Sequence, residues 1–167
     1  MPIIQRWEKL AARSHTDIFD YAGVDNVVLV NAVNCVGIMG KGLAKQFKER
    51  YPDNFAAYYE ACETNELRPG DVFFYDDPHH ELTIANAATK EHWKHKSQVE
   101  WVRQCIIRLK SYCEDRASCN LILPMIGCGL GGLDWRMQVR PLVIQHLSHS
   151  PANIILLERG NHASAQI

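Results

Sequence analysis

The stretch Val27-Val28-Leu29-Val30-Asn31-Ala32-Val33-Asn34-Cys35-Val36-Gly37-Ile38-Met39-Gly40-Lys41-Gly42 reads as a buried strand that runs into a glycine-rich turn and then opens a helix. Val27 to Val30 form a continuous apolar run, the pattern of a strand covered on both faces. Asn31 and Asn34 place two short amides at the carboxyl end of that strand. Gly37, Gly40 and Gly42 permit positive φ and let a ligand come close to the backbone. In an open α/β sheet ligands bind at this end of the strands, where the N–H groups of the following helix face an anion such as a phosphate.

A second loop answers the first. Leu121-Ile122-Leu123-Pro124-Met125 is another apolar strand, and it runs into Ile126-Gly127-Cys128-Gly129-Leu130-Gly131-Gly132-Leu133-Asp134-Trp135. Glycines at 127, 129, 131 and 132 have no side chain to bury, and they suit a nest of backbone N–H groups that holds an anion. Neither loop is a nucleotide motif of standard spacing. Gly37-x-x-Gly40-Lys41-Gly42 lacks the four-residue gap and the Ser or Thr of a Walker loop, and Gly127-x-Gly129-x-Gly131-Gly132 departs from the dinucleotide fingerprint. Taken singly, each is equally a tight strand-to-helix turn. As a pair they fit a ligand with two phosphates, or one phosphate group held from both sides.

Working outward, the patterning predicts strands at Val27–Asn31, Val72–Tyr75, Leu82–Asn86, Asn120–Met125 and Asn153–Glu158, and a short strand or helical turn within 2–13. A helix is expected from Gly42 to Tyr51, stopped by Pro52. A second, capped by Asn54, should reach Thr64. Val99, Val102, Ile106, Leu109 and Cys113 mark one apolar face of a helix over 96–115. A last helix should cover 135–147, with Pro141 in its first full turn or at a kink. Pro69-Gly70 and Asp76-Asp77-Pro78 are turns. Strands alternating with helices predict an α/β fold: a three-layer α/β/α sandwich with a mixed, mostly parallel sheet.

The chain has 167 residues, which fits one domain spanning 1–167, with a core over about 16–158 and a frayed tail at 160–167. It has no apolar run long enough to cross a membrane and its first residues lack a signal-peptide core. The six cysteines, at 35, 62, 105, 113, 119 and 128, form no Cys-x-x-Cys pair, which implies reduced thiols and a cytoplasmic setting. Cys35 and Cys128 sit in the glycine loops as small residues that fit tight turns. A net charge of −1 argues against tight, sequence-independent binding of duplex DNA. Two local basic clusters, Lys41, Lys45, Lys48 and Arg50, then Lys90, Lys94, His95 and Lys96, are either solvated helix faces or contacts for a few phosphates.

Asn31-Ala32-Val33-Asn34, the Gly-x-Met-Gly-Lys-Gly that follows at 37–42, and Gly127-Cys128-Gly129-x-Gly131-Gly132-Leu133-Asp134-Trp135 together resemble the macrodomain family. A third block, Asn86-Ala87-Ala88-Thr89-Lys90-Glu91-His92-Trp93-Lys94-His95-Lys96-Ser97, is similar to the Asn-Phe-x-Thr-Lys-x-His-Trp-Arg segment of its DarG-type DNA ADP-ribosyl glycohydrolase branch. The resemblance runs from about Thr16 to Glu158. It implies the same sandwich fold, ADP-ribose as ligand and no cofactor. It also implies an antitoxin-type hydrolase that removes mono-ADP-ribose from thymine in single-stranded DNA, with a DNA ADP-ribosyltransferase toxin as partner. Proteins of this branch carry a further toxin-binding domain that a chain of this length does not hold.

The resemblance implies roles for particular residues. Thr16-Asp17-Ile18 matches the segment whose Asp accepts a hydrogen bond from the adenine amino group; a turn or N-cap Asp is the competing reading. Asn31 and Asn34 are candidates for the distal ribose, Asn34 above all, against a structural role in tying the loop together. Gly40, Lys41 and Gly42 would offer backbone N–H groups to that ribose and its phosphate, with the Lys41 side chain in solvent. Thr89 and the loop Gly127, Cys128, Gly129, Leu130, Gly131 and Gly132 complete the expected pocket. Lys90 is the expected catalytic residue together with Asn34, as a neutral-amine nucleophile or as a proton donor to the departing base carbonyl. Without the resemblance, Lys90 would be a surface lysine in a basic loop.

The chain departs from the glutamate-specific relatives, which carry an Asp where Gly131 stands. Asp134 nearby is explained as an N-cap. That moves the expected substrate from acyl-linked ADP-ribose to the DNA base. His92-x-x-His95 has zinc-like spacing but no third ligand in the sequence, so no metal site is expected. Trp93 either stacks on a nucleobase or packs under its loop. The competing functions are a non-catalytic ADP-ribose reader and a hydrolase or phosphatase acting on protein-linked ADP-ribose or ADP-ribose 1″-phosphate.

Overall fold

The computed structural model describes residues 10–14, 17–116 and 118–159. Thr16 and the tail 160–167 lie outside them. Strand β1 is Leu10–Ser14, and a short 3₁₀ helix, Ile18–Tyr21, follows it. The apolar run at 27–30 is the start of β2, Val27–Val33, two residues longer than its pattern predicts because its parallel pairing with the segment Leu82–Ala88 runs on to Val33. Helices α1, Gly42–Arg50, and α2, Pro52–Glu63, come next. Then come β3, Val72–Asp77; β4, Leu82–Ala88; α3, Val99–Glu114; and β5, Asn120–Pro124. A π-helical turn, Trp135–Val139, leads into α4, Arg140–Leu147, and the chain closes on β6, Asn153–Glu158.

The six strands form one sheet in the order β1-β6-β5-β2-β4-β3. Every neighbouring pair is parallel except β3 with β4. Alternation of side chains along each strand explains the layers. Val28, Val30, Leu121, Leu123, Ile154 and Leu156 pack on one face, against Val102, Ile106 and Leu109 of α3 and Val143 and Leu147 of α4. Val27, Leu29, Ile84, Ile122, Ile155 and Leu157 face the other way, onto Phe47 of α1 and Ile18, Phe19 and Tyr21 of the 3₁₀ helix. Both faces are covered, so the expected α/β sandwich is the observed fold. Among the described residues no helix is long and apolar enough to cross a membrane.

Four local expectations are corrected. Asn54 does not cap α2, which starts at Pro52 with Tyr51 ending α1 and beginning α2; Asn54 lies inside the helix, fully buried. Asp76 and Asp77 belong to β3, because the hairpin register pairs them with Thr83 and Leu82. The helix over 96–115 starts only at Val99, since the backbone at Gln98 is extended, with φ of −111° and ψ of 141°. The helix over 135–147 is two pieces. Proline at 141 has no N–H for the turn before it. That turn widens, with Val139 N–H reaching Asp134 O at 3.3 Å, and Pro141 sits in the first turn of α4.

Candidate functional site

Because β2, β4 and β5 are adjacent and parallel, their carboxyl ends lie side by side on one edge of the sheet. Each is followed by one of the three sequence blocks: 34–42, 89–98 and 125–134. After β2 the chain builds β3 and β4 on one side, and only then crosses to β5 on the other. The crevice between β2 and β5 is therefore a switch point, the place where open α/β sheets hold ligands.

The three blocks are tied to one another through their backbones. Thr89 N–H donates to Val33 O at 3.1 Å and Cys35 N–H donates to Glu91 O at 3.1 Å, continuing the β2–β4 ladder past the strands. These two bonds bracket Lys90. At the other end of the block, Ser97 N–H donates to Gly131 O at 2.9 Å. The segment from Thr89 to Ser97 thus bridges the two glycine loops, with Lys90 beside the first and Ser97 under the second.

Asn34 is 7% exposed and organises the first loop. Its Oδ1 accepts from Val36 N–H at 3.1 Å, Ile38 N–H at 3.4 Å and the Tyr58 hydroxyl at 2.9 Å, while its Nδ2 donates to Ile38 O at 2.8 Å. An amide has two N–H groups, so at most one is left for a ribose hydroxyl. The loop-tying role is the one these contacts describe. Asn31, by contrast, points into the interior. Its Nδ2 contacts Asn86 Oδ1 at 3.3 Å and Met39 Sδ at 3.8 Å. Asn86 is paired in turn with Asn54, Nδ2 to Oδ1 at 2.8 Å and the reverse at 3.3 Å. This buried chain of three amides fixes β2, β4 and α2 together, and it holds Met39 of the loop.

Sequence reading missed Tyr58 and the Asn54 partnership, since neither leaves a local signal. Tyr58 is fully buried and its hydroxyl also lies 2.8 Å from Asn34 O. Tyr58→Phe removes that donor: Asn34 Oδ1 keeps its two backbone N–H donors and Asn34 O keeps only the Cys62 thiol at 4.0 Å, and the loss of one buried hydrogen bond costs about 0.5–1.5 kcal/mol. The variant should be destabilised by that order in urea unfolding and bind ligand more weakly. An unchanged midpoint would show that the loop does not depend on Tyr58.

The second loop is a tight fold of its own backbone. Leu133 N–H closes onto Gly127 O at 3.0 Å and Gly132 N–H onto Gly129 O at 3.1 Å. Gly127 and Gly132 have φ of +76° and +77°, which side chains rarely adopt. At Gly131 a Cβ would meet Ser97 Oγ, and Gly127 O at 2.5 Å, so this position has no room for any side chain. A Cβ on Gly129 would meet nothing within 4 Å, and Leu130 beside it is 70% exposed. The exit of the loop is clamped: Glu158 at the end of β6, buried, accepts from the buried Trp135 Nε1 at 3.0 Å and from the partly buried Arg140 Nε at 2.8 Å. Asp134 accepts from Met137 N–H at 2.8 Å, the N-cap role expected of it.

Lys90 is half-buried at the end of β4, with Nζ 3.5 Å from the carbonyl of Trp93. Burial holds its ammonium below the usual lysine pKa. Burial also pushes the thiols of Cys35 and Cys128 up to about 12, so neither is a thiolate at neutral pH. Asp17 caps the 3₁₀ helix, Oδ1 accepting from Phe19 N–H at 2.9 Å, and stays exposed; Ile18 goes into the core. Thr89 is buried, and Gly40, Lys41 and Gly42 are exposed at the start of α1. His92 Nδ1 accepts from Lys94 N–H at 3.1 Å. No group of three metal-ligating side chains occurs among the described residues. Three buried side-chain atoms lack a partner among them: Asn31 Oδ1, Ser97 Oγ and Glu158 Oε2. All three lie at or near the carboxyl edge of the sheet.

Comparison with known proteins gives the same picture. The Macro domain family profile matches residues 30–141. A DNA ADP-ribosyl glycohydrolase of Thermus aquaticus is 42% identical over 112 residues, covering 64% of this chain and 30% of that protein. The chain spans about a third of the length of the curated relatives it matches. The macrodomain of Mycobacterium tuberculosis DarG superposes with a TM-score of 0.80 at 31% identity, covering 90% of this chain and 98% of that one. Thermosipho africanus DarTG in complex with ADP-ribose superposes with a TM-score of 0.76 at 28% identity, covering 98% of this chain and 44% of that one. On these grounds the chain belongs to the macrodomain family, and its similarity within that family runs to the DarG macrodomains.

Proposed function

We propose that the protein is an ADP-ribosyl hydrolase that removes mono-ADP-ribose from thymine in single-stranded DNA. The observation that carries this reading is Lys90: half-buried, with its pKa lowered by burial, between two glycine loops that supply backbone N–H groups for a pyrophosphate. Release of ADP-ribose breaks a glycosidic bond through an oxocarbenium-like transition state, which an ammonium at the anomeric carbon would oppose and one at the departing base carbonyl would assist. Curated relatives of like sequence are named DNA ADP-ribosyl glycohydrolases, and a structural neighbour is a complex with ADP-ribose. Asp17, Asn34, Gly40, Gly42, Thr89 and the loop 127–132 would bind the ligand, and Ser97 Oγ, buried and unpartnered against Gly131, is a further donor within the same wall. Asn31 contributes by holding Met39. The enzyme that would write the mark, a DNA ADP-ribosyltransferase, is the partner this activity calls for.

The test is incubation with ADP-ribosylated oligonucleotide and ADP-ribosylated glutamate peptide side by side, with release of ADP-ribose as the readout. Turnover of the oligonucleotide alone is expected. No turnover of either, with ADP-ribose still bound, would make the protein a reader. Binding itself is checked by thermal melting: ADP-ribose at one hundred times its dissociation constant should add about 2.7 kcal/mol of stability. NAD⁺ should shift the melt much less, since the family pocket closes around the distal ribose. An equal shift with NAD⁺ would contradict that.

A further inference from the structure

Seven large hydrophobic side chains are exposed among the described residues; four of them, Val36, Ile38, Trp93 and Leu130, stand on the loops at the carboxyl edge of the sheet, and a fifth, Met137, on the π-helical turn that follows the second glycine loop. Charge follows the same division. Segments 34–42, 89–98 and 125–139 carry five cations, Lys41, Lys90, Lys94, Lys96 and Arg136, against two carboxylates, Glu91 and Asp134. The rest of the chain holds thirteen cations against seventeen carboxylates. The opposite edge of the sheet has a cavity of about 510 Å³ whose lining includes Asp76, Asp77 and Glu81 with Arg116 as its cation. The field of the molecule therefore draws an anionic chain to the loop edge. An apolar rim set among cations is what a single nucleic-acid strand requires, with aromatic faces for bases and lysines for phosphates.

Trp93 is the aromatic in that rim. The residue is 48% exposed, so it does not pack under its loop. Lys94 Nζ lies 5.1 Å from the ring centroid, and His92 stacks beside it at 5.4 Å with planes 27° apart. Both neighbours are surface side chains, and a base can take the place of the Lys94 ammonium on the ring while that ammonium turns to the adjoining phosphate. The backbone of Trp93 accepts from Lys90 Nζ at 3.5 Å. Whatever occupies the ring is therefore next to whatever is held at Lys90. Lys96 runs across Gly132, its Cδ within 3.4 Å of where a Cβ would stand, on the side of the second loop.

We propose that Trp93 is a stacking site for the nucleobase that flanks the modified thymine, with Lys94 and Lys96 on the phosphates of the same strand. The inference rests on the function proposed above. It makes Trp93 a residue that selects a strand over an isolated nucleoside, without a part in the bond cleavage.

The test compares wild type, Trp93→Leu, Trp93→Phe and the double variant Lys94→Gln/Lys96→Gln on ADP-ribosylated thymidine and on an ADP-ribosylated oligonucleotide. Trp93→Leu should lose about tenfold in kcat/KM on the oligonucleotide, through KM, because stacking on one aromatic is worth about that much. Its kcat/KM on the nucleoside and its ADP-ribose affinity should match wild type, and Trp93→Phe should retain most of the oligonucleotide activity. The double variant should flatten the salt dependence of oligonucleotide affinity, by about 0.7 in log–log slope for each phosphate that is no longer neutralised. Equal losses by Trp93→Leu on nucleoside and oligonucleotide would overturn the proposal, since the effect would then run through the Lys90 turn. So would unchanged oligonucleotide kinetics in an active enzyme. If wild type itself turns over neither substrate, the proposed function falls, and this inference with it.

Discussion

Lys90→Ala should lose about 10²–10⁴-fold in release of ADP-ribose from a modified oligonucleotide, the range a single acid–base group contributes. ADP-ribose affinity should stay close to that of wild type. Nζ reaches the Trp93 carbonyl, while the N–H groups proposed to hold the pyrophosphate belong to the backbones of the two glycine loops. Of the other ionisable side chains in those loops, Lys41 stands exposed to solvent. The Cys35 and Cys128 thiols are pushed up to about 12 by burial, and Asp134 is occupied as an N-cap. The pH profile separates the two roles open to the amine. Desolvation lowers its pKa, because burial disfavours the charged form. As a proton donor it must be protonated, so kcat falls as pH rises through that lowered pKa. As a nucleophile it must be neutral, so kcat rises through the same pKa and levels above it. Lys90→Arg stays charged at any working pH, and partial activity in that variant supports proton donation, whereas none supports attack by the amine. Full turnover in Lys90→Ala would refute both.

Gly131→Ala should damage both the fold and the binding, and Gly129→Val only the binding. At Gly131 a Cβ would press on Gly127 O at 2.5 Å and on Gly127 C at 2.8 Å, and the same carbonyl closes the loop onto Leu133 N–H. The backbone has to move, at about 1–3 kcal/mol for such overpacking, and the ADP-ribose shift in melting temperature should vanish with it. At Gly129 the Cβ enters open space, so unliganded stability should stay within about 0.5 kcal/mol of wild type, as for surface changes in general. A β-branched side chain there would stand where a phosphate approaches the nest. Loss of the ADP-ribose shift at unchanged stability in Gly129→Val therefore reports ligand contact alone. A Gly129→Val protein that binds ADP-ribose as tightly as wild type would place the anion elsewhere. The collision at Gly131 also accounts for the missing carboxylate: an Asp at this position requires a differently shaped loop.

Much of the architecture was legible without coordinates. Apolar runs at 27–30 and 121–123 are strands buried on both faces, and the 3–4 spacing from Val99 to Cys113 is the buried face of α3. Glycines at 37, 42, 127 and 132 do adopt positive φ. Such features are local: periodicity and backbone freedom are written within a few residues of where they act. The order of the three blocks along the chain likewise pointed to the family, and the parallel sheet then brings the three to one edge.

What the sequence determined by itself is the sandwich, the positions of the two loops and the lysine between them. Only the tertiary structure decided what each polar side chain does there. Asn54 looks like a helix cap and is instead bound to Asn86, thirty-two residues away. Asn34, expected at the distal ribose, is also tied to Tyr58, twenty-four residues away. Trp93 could stack or pack and turns out exposed, while Gly131 proves closed to any side chain by a backbone oxygen of its own loop. A buried amide must find a partner wherever the packing offers one, and that partner is set by the juxtaposition of strands and helices, which no local pattern records.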